Sequence, residues 1–274
     1  MRIATLALVL LLLAPPLAAG GEDLWHSKLE QALASPLRTD AERARDANRL
    51  PAETLAFMQF RDDLRVLELF PGTGWYTKLL GPMLAERGHL YLALGTNRAT
   101  ELVANTPELA AVEILDANPS MPPTDVRGVF DLAEFSFWVA DLDLVVTFRN
   151  AHNLTPAGRA NLDAAVWDAL RPGGLYGVVD HSRRHMEPSG DHNHRRADPV
   201  RIIHEVTKAG FEFVDWSDLH YRPVDDLTLE VGDEQVSGRT DRFTLLFRKP
   251  EDQGPDLSPS PDQPPPRGYR GGRR

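Results

Sequence analysis

The 274-residue chain contains no cysteine, which removes disulfides, thiolate metal sites and thiol nucleophiles from consideration. Positive charge is also in deficit. Thirty Lys and Arg stand against 40 Asp and Glu, a formal net charge of -10. Proteins that neutralise many phosphates need a clustered cationic surface, so nucleic acid is excluded as a general partner. The nearly unbroken apolar run at residues 3–13 is shorter than the roughly 20 residues that span a bilayer. Arg2 precedes it, Pro15-Pro16 break it, and Leu17-Ala18-Ala19-Gly20 offer small residues for cleavage. Residues 1–20 therefore read as a cleaved signal peptide with no cysteine behind it for a lipid. The mature chain is expected to be periplasmic or secreted, with no stable membrane anchor.

What is present is an ordinary core composition, 42% hydrophobic and 26% charged, enough for one α/β domain. Residues 21–60 read as an N-terminal helical cap. A first helix stops at Ser35-Pro36, a charged one over residues 41–50 is capped by Asp40, and a third opens on Pro51. From residue 65 strands and helices alternate. The run Val66-Leu67-Glu68-Leu69 enters a glycine turn, and a helix is expected over residues 75–85. A second strand covers residues 89–94 and a second helix residues 100–111. The third strand is open between residues 112–115 and 129–135. Residues 142–148 form a β-branched run like a buried parallel strand. A helix over residues 161–170 leads through Arg171-Pro172-Gly173-Gly174 to a strand at 175–179. A helix at 199–209 ends at Gly210, and residues 211–216 and 243–248 read as a closing antiparallel pair. The expected fold is a doubly wound, mostly parallel sheet of seven-stranded type over residues 61–249. Residues 250–274, rich in Pro, Gly and Arg, are expected to form a disordered tail.

In such sheets ligands bind beyond the carboxyl ends of the strands. Gly72 and Gly74 follow the first strand, with acidic Glu68 at its end. A dinucleotide fingerprint would need a third glycine, where Trp75 and Tyr76 stand. After the fourth strand come Arg149, Asn150, His152 and Asn153, polar residues that packing explains poorly. His152 suits a general base, because its ordinary pKa lies near neutrality. After the fifth strand come Asp180 and His181, then His192, His194 and Arg195. Asp180, His181, His192 and His194 match no strong metal-ligand spacing, so no metal is assigned. Arg45 and Arg49 lie one helical turn apart on an element that precedes the first strand.

Residues 66–74 resemble the first motif of class I S-adenosylmethionine-dependent methyltransferases, and Leu170-Arg171-Pro172-Gly173-Gly174-Leu175 resembles their turn before the fifth strand. More narrowly, segments across residues 35–250 resemble a family of predicted methyltransferases with signal peptides. They include Pro71-Gly72-Thr73-Gly74-Trp75-Tyr76-Thr77, Thr147-Phe148-Arg149-Asn150-Ala151-His152-Asn153 and Thr240-Asp241-Arg242-Phe243. The resemblance implies methyl transfer from S-adenosylmethionine to a small-molecule acceptor. Glu68, Gly72 and Gly74 would hold the donor, with Tyr76 near its sulfonium and Thr96 standing in at the ribose. His152 or His181 would take the proton, helped by Asn150 and Arg149. Asn153, His194, Arg195, Arg45 and Arg49 would contact the acceptor. Two features depart from the general pattern. Phe70 occupies the first glycine position, and Leu94-Gly95-Thr96-Asn97 replaces the acidic residue after the second strand. S-adenosylmethionine is made in the cytoplasm, so export keeps two alternatives open: a binding or sensing module on the same fold, and a hydrolase using the histidine pocket.

Overall fold

A computed structural model describes residues 21–251. The expected signal peptide and nearly all of the expected tail lie outside the described residues. Four helices come first: α1 (Gly21–Ala34), α2 (Asp40–Arg43), α3 (Asp46–Arg49) and α4 (Pro51–Phe57). The single helix expected over residues 41–50 is thus two short ones. Its cap is Thr39 rather than Asp40, because Thr39 and Glu42 close a capping box.

The alternating part runs β1 (Arg65–Leu69), α5 (Thr77–Leu84), β2 (His89–Ala93), α6 (Asn97–Ala104), β3 (Glu113–Ile114), β4 (Leu142–Phe148), α7 (Pro156–Ala169), β5 (Leu170–His181), α8 (Pro199–Lys208), β6 (Glu212–Ser217) and β7 (Arg242–Arg248). Of the two candidates for the third strand, the first is correct. Residues 129–135 contribute only isolated bridges, through Phe130. The sheet order is β3-β2-β1-β4-β5-β7-β6, parallel through β5, with β7 antiparallel to both β5 and β6. β5 begins earlier than expected because Leu170 already pairs with Leu142, and residues 171–174 bulge out before Leu175 pairs with Leu144.

Alternation along the strands sends side chains to two cores. Leu67, Tyr91, Val145 and Tyr176 pack under α7 and α8, against Leu162, Val166, Ile202 and Val206. Val66, Leu92, Val146 and Val179 face the other way, toward Leu79 and Met83 of α5. Trp25, Leu29 and Leu55 of the leading helices belong to that second core. The expected helical cap therefore shares its packing with the sheet.

Three neighbouring strands end in a reversal. Phe70 after β1 has φ 51°, Leu94 after β2 has φ 63° and Arg149 after β4 has φ 65°. A non-glycine residue in this left-handed region costs roughly 1–2 kcal/mol. Sheet hydrogen bonds hold two of them there: Phe70 N donates to Ala93 O at 2.9 Å, and Arg149 N donates to Val179 O at 2.7 Å. The chain is turned away from the strand ends, which leaves a cleft above β1, β4 and β5.

Gly72 (φ +60°) and Gly74 (φ +78°) share the left-handed conformation, but differ in surroundings. A Cβ on Gly72 would meet nothing within 4 Å, whereas one on Gly74 would run into Leu102. Gly74→Ala is expected to cost about 1–3 kcal/mol, and Gly72→Ala only the backbone strain of about 1 kcal/mol. Urea denaturation midpoints of the two variants check the ranking; equal midpoints would contradict it.

Candidate functional site

The first cavity, of about 130 Å³, lies over the glycine turn and is lined by Arg45, Arg49, Glu68, Gly72, Tyr76 and Arg149 among others. Its floor is Glu68, a buried carboxylate that accepts a 2.7 Å hydrogen bond from Thr77 Oγ1. Tyr76 stacks on Phe148 with ring centroids 3.6 Å apart and planes at 12°. Asn150 lines the cavity and donates through Nδ2 to Phe148 O at 2.9 Å. The α2–α3 segment is fastened over the turn by Trp75 Nε1, which donates to Glu42 O at 3.1 Å, and by Lys78 Nζ, 2.9 Å from the Glu42 carboxylate. This brings Arg45 and Arg49 to the cavity.

Arg49 is only 5% exposed. Its guanidinium lies 4.2 Å over the Trp75 ring, and its Nε has no hydrogen-bond partner. Burial, together with the charges of Arg149, Arg45 and Arg242, pushes it down to about 8. Burial and Arg45 push Arg149 down as well. Arg242 falls to about 10 through burial and Arg149. Among the described residues no Asp or Glu forms an ion pair with any of these four arginines. Asp46, next to Arg45 in sequence, is taken by Arg38.

His152 opens on a second cavity, of about 820 Å³. Its backbone N donates to Asp180 Oδ2 at 2.9 Å, and its Nδ1 lies 2.6 Å from Asp180 Oδ1. Asp180 is fully buried at the end of β5. With Nδ1–H given to the carboxylate, the lone pair of Nε2 is the one left to accept a proton. His181 instead turns to Thr240 Oγ1 at 2.8 Å and lines neither cavity. Burial, then the charges of His152, Arg242 and Arg149, hold it well below its usual range, and so neutral.

The single pocket expected above the turn is thus two cavities, bordered by one segment: Phe148–Asn150 line the first and His152 the second. His194 also lines the second. Three expected residues lie elsewhere. Arg195 is held by Glu230, Nε to Oε1 at 2.8 Å. Asn153 lines neither cavity, and its backbone O accepts from Phe130 N at 2.8 Å. Thr96 is outside both cavities at the N-terminus of α6, with no side-chain cap bond. The possible metal ligands do not converge: among the described residues no three His, Asp or Glu side chains gather as a metal would require. Neither the pairing of Asp180 with His152 nor the approach of Arg242 to Arg49 and Arg149 was visible in the sequence. The Asp180-His181 pair at a strand end was the available signal for the former.

Burial pushes Glu68 up from 4.5 to about 7, against the opposing effects of Thr77 and Arg49. Its folded state holds a proton that the unfolded chain releases between those two values. The resulting stability is present at low pH and is lost as pH rises through about 7. Glu68→Gln is therefore expected to stabilise the protein at pH 8, by up to about 3 kcal/mol, and to change little at pH 5. Thermal unfolding at both pH values checks this, and destabilisation at pH 8 would refute it.

No family model matches the chain, and no curated protein matches it. Solved structures do. A SAM dependent methyltransferase from Aquifex aeolicus aligns at a TM-score of 0.51 with 16% identity, over 81% of this chain and 97% of that one. The 1,6-didemethyltoxoflavin-N1-methyltransferase of Burkholderia thailandensis, solved with 1,6-didemethyltoxoflavin and S-adenosylhomocysteine, aligns at 0.51 with 15% identity, over 87% and 94%. The [4+2]-cyclase SpnF aligns at 0.50 with 17% identity, over 84% and 95%. At these identities the likeness establishes the fold: a Rossmann-like sheet of class I methyltransferase type.

Proposed function

We propose that the chain is an exported enzyme that transfers a methyl group from S-adenosylmethionine to a small-molecule acceptor. The observation that carries the reading is the His152–Asp180 pair, which faces a substrate-sized cavity one short segment away from the glycine turn. Pockets of roughly 300–1,000 Å³ take small molecules, and the second cavity falls within that range. The bound toxoflavin precursor and S-adenosylhomocysteine in the Burkholderia thailandensis structure support the same pairing of ligands. Arg2 and the apolar run behind it support export.

The residues suit the amino-acid end of the donor better than its nucleoside end. Glu68 lies beneath the turn, and Gly72 leaves open space where a side chain would stand. After β2 no carboxylate is present for the ribose, and the Phe70 ring comes within 3.5 Å of where a Cβ on Gly95 would be. The donor's contribution is an electrophilic methyl group. The chain contributes a proton acceptor and position. His152 Nε2 takes the proton of the acceptor as the new bond forms, while Asp180 fixes the ring and offsets the imidazolium charge. Holding acceptor and donor together supplies much of the remaining rate.

Calorimetric titration with S-adenosylhomocysteine tests donor binding. Heat and a thermal upshift are expected, with tighter binding in Phe70→Gly, where the ring beside Gly95 is gone. No heat at millimolar ligand from either protein would sink the reading and leave a binding module on this fold. With an acceptor identified, His152→Ala is expected to lower kcat about 10²- to 10⁴-fold. Asp180→Asn should do likewise, with circular dichroism unchanged. Full activity in both variants would remove the pair from the mechanism.

A further inference from the structure

The first cavity carries more positive charge than the proposed donor would offset. Arg45, Arg49 and Arg149 line it, and Glu68 is the acidic residue in its wall. Even with Glu68 ionised, at least two positive charges are left over. Arg242, buried within reach of the charges of Arg49 and Arg149, adds another; its Nη1 donates to Asn48 O at 3.0 Å and its Nε has no partner. S-adenosylmethionine brings one carboxylate but also an ammonium and a sulfonium, so its net charge is positive. Such a ligand worsens the imbalance.

An unpaired buried guanidinium such as that of Arg49 is costly, because an ionised group removed from water needs a partner. Elsewhere this chain provides one: Arg196 sits on Asp225 at 2.9 Å with both side chains fully buried, and Arg38 sits on Asp46. At the first cavity the charges face an open volume of about 130 Å³. That is too small for a whole nucleoside, since pockets for drug-sized ligands start near 300 Å³. It has room for a tetrahedral oxyanion with one or two waters, at roughly 30 Å³ per water. Guanidinium forks match the oxygen spacing of such a group, and charge-assisted hydrogen bonds to it are the strong ones.

We propose that Arg45, Arg49 and Arg149, backed by Arg242, form a recognition site for a doubly charged oxyanion, the phosphate of a phosphorylated small molecule. The inference names a ligand class for this cleft and stands whether or not the protein transfers methyl groups. The arginines are held from two directions. Arg49 is fixed on Trp75, at the end of a segment that Lys78 and Trp75 tie down through Glu42. The backbone of Arg149 is fixed by its left-handed conformation and its bond to Val179. Arg49 is thus preorganised, and Arg45 and Arg149 supply the ordering that completes the site when the anion arrives.

The test is thermal unfolding and calorimetry of the purified chain in a phosphate-free buffer at constant ionic strength. Inorganic phosphate, succinate and S-adenosylhomocysteine are the probes, and Arg49→Met and Arg149→Met the variants. Phosphate is expected to raise the melting temperature saturably, and each variant to weaken it at least about tenfold. Without anion, Arg49→Met is expected to melt higher than the parent, since it removes an unpaired buried charge and keeps the apolar stem. A lower melting temperature would give Arg49 a structural role and overturn the proposal. So would a phosphate effect that is absent, unsaturable or unaltered in both variants. Succinate binding as tightly as phosphate would reassign the site to dicarboxylates. Loss of S-adenosylhomocysteine binding in Arg49→Met, with no saturable phosphate effect in the parent, would assign the arginines to the donor's carboxylate. Phosphate binding without S-adenosylhomocysteine binding would retain this site and sink the methyltransferase reading instead.

Discussion

The cleft depends on one backbone constraint: parallel strands whose carboxyl ends lie level must all turn away at the same height. β1, β2 and β4 do so through Phe70, Leu94 and Arg149, none of them glycine and each at positive φ. Each reversal costs on the order of 1–2 kcal/mol, so the arrangement persists only because neighbouring strands hold it. The Phe70 and Arg149 amides stay bonded to Ala93 and Val179 even as the chain reverses. Strain gathered at strand ends in this way is a common mark of ligand sites. Here it carries Arg149 and Asn150 to one cavity and begins the turn that delivers His152 to another.

Charge is handled in two contrasting ways around that cleft. His152 and Asp180, Lys78 and Glu42, Arg38 and Asp46, and Arg196 and Asp225 are matched pairs. Each lets the fold bury a charge without leaving it alone. Arg49, Arg149 and Arg242 have no acidic partner among the described residues, although Arg49 and Arg242 are as buried as several of the paired ones. A fold able to pair its arginines elsewhere has left Arg49 and Arg149 facing the first cavity. That contrast separates a recognition surface from ordinary structural ion pairs, which perturb titration but close on themselves.

Much of the fold was legible because its signals are local. Short apolar, β-prone runs marked β1, β2 and β4. Pro51 marked the start of a helix, as did Pro199. The third strand was not legible, because β3 is two residues long and residues 129–135 are just as apolar. Nor was the division of residues 41–50, where Thr39 and Glu42 form a capping box that competes with Asp40. In the site, Glu68, Gly72 and Arg149 could be read from position relative to strand ends, and Arg49 from the family resemblance. The fates of Arg195, Asn153 and His181 could not, since each is decided by a partner distant in sequence or by loop path: Glu230, Phe130 and Thr240. Phe70 shows the limit most directly. Its identity was noted as a departure from a glycine motif, yet its backbone adopts the glycine-like conformation anyway.

Fold alone does not choose the chemistry. A [4+2]-cyclase aligns with this chain as well as two methyltransferases do, so the choice rests on the side chains around the strand ends. In this chain those side chains meet at a shared wall. Phe148 is stacked on Tyr76 in the first cavity, and four residues later the same segment presents His152 to the second. Arg149, in the wall of the first cavity, is three residues from His152, whose amide and Nδ1 both bond to Asp180. The imidazole has little slack, because its own amide and its Nδ1 are both tied to one fully buried carboxylate. The proposed anion site and the proposed base thus share one short segment, residues 148–152, whichever reaction that segment serves.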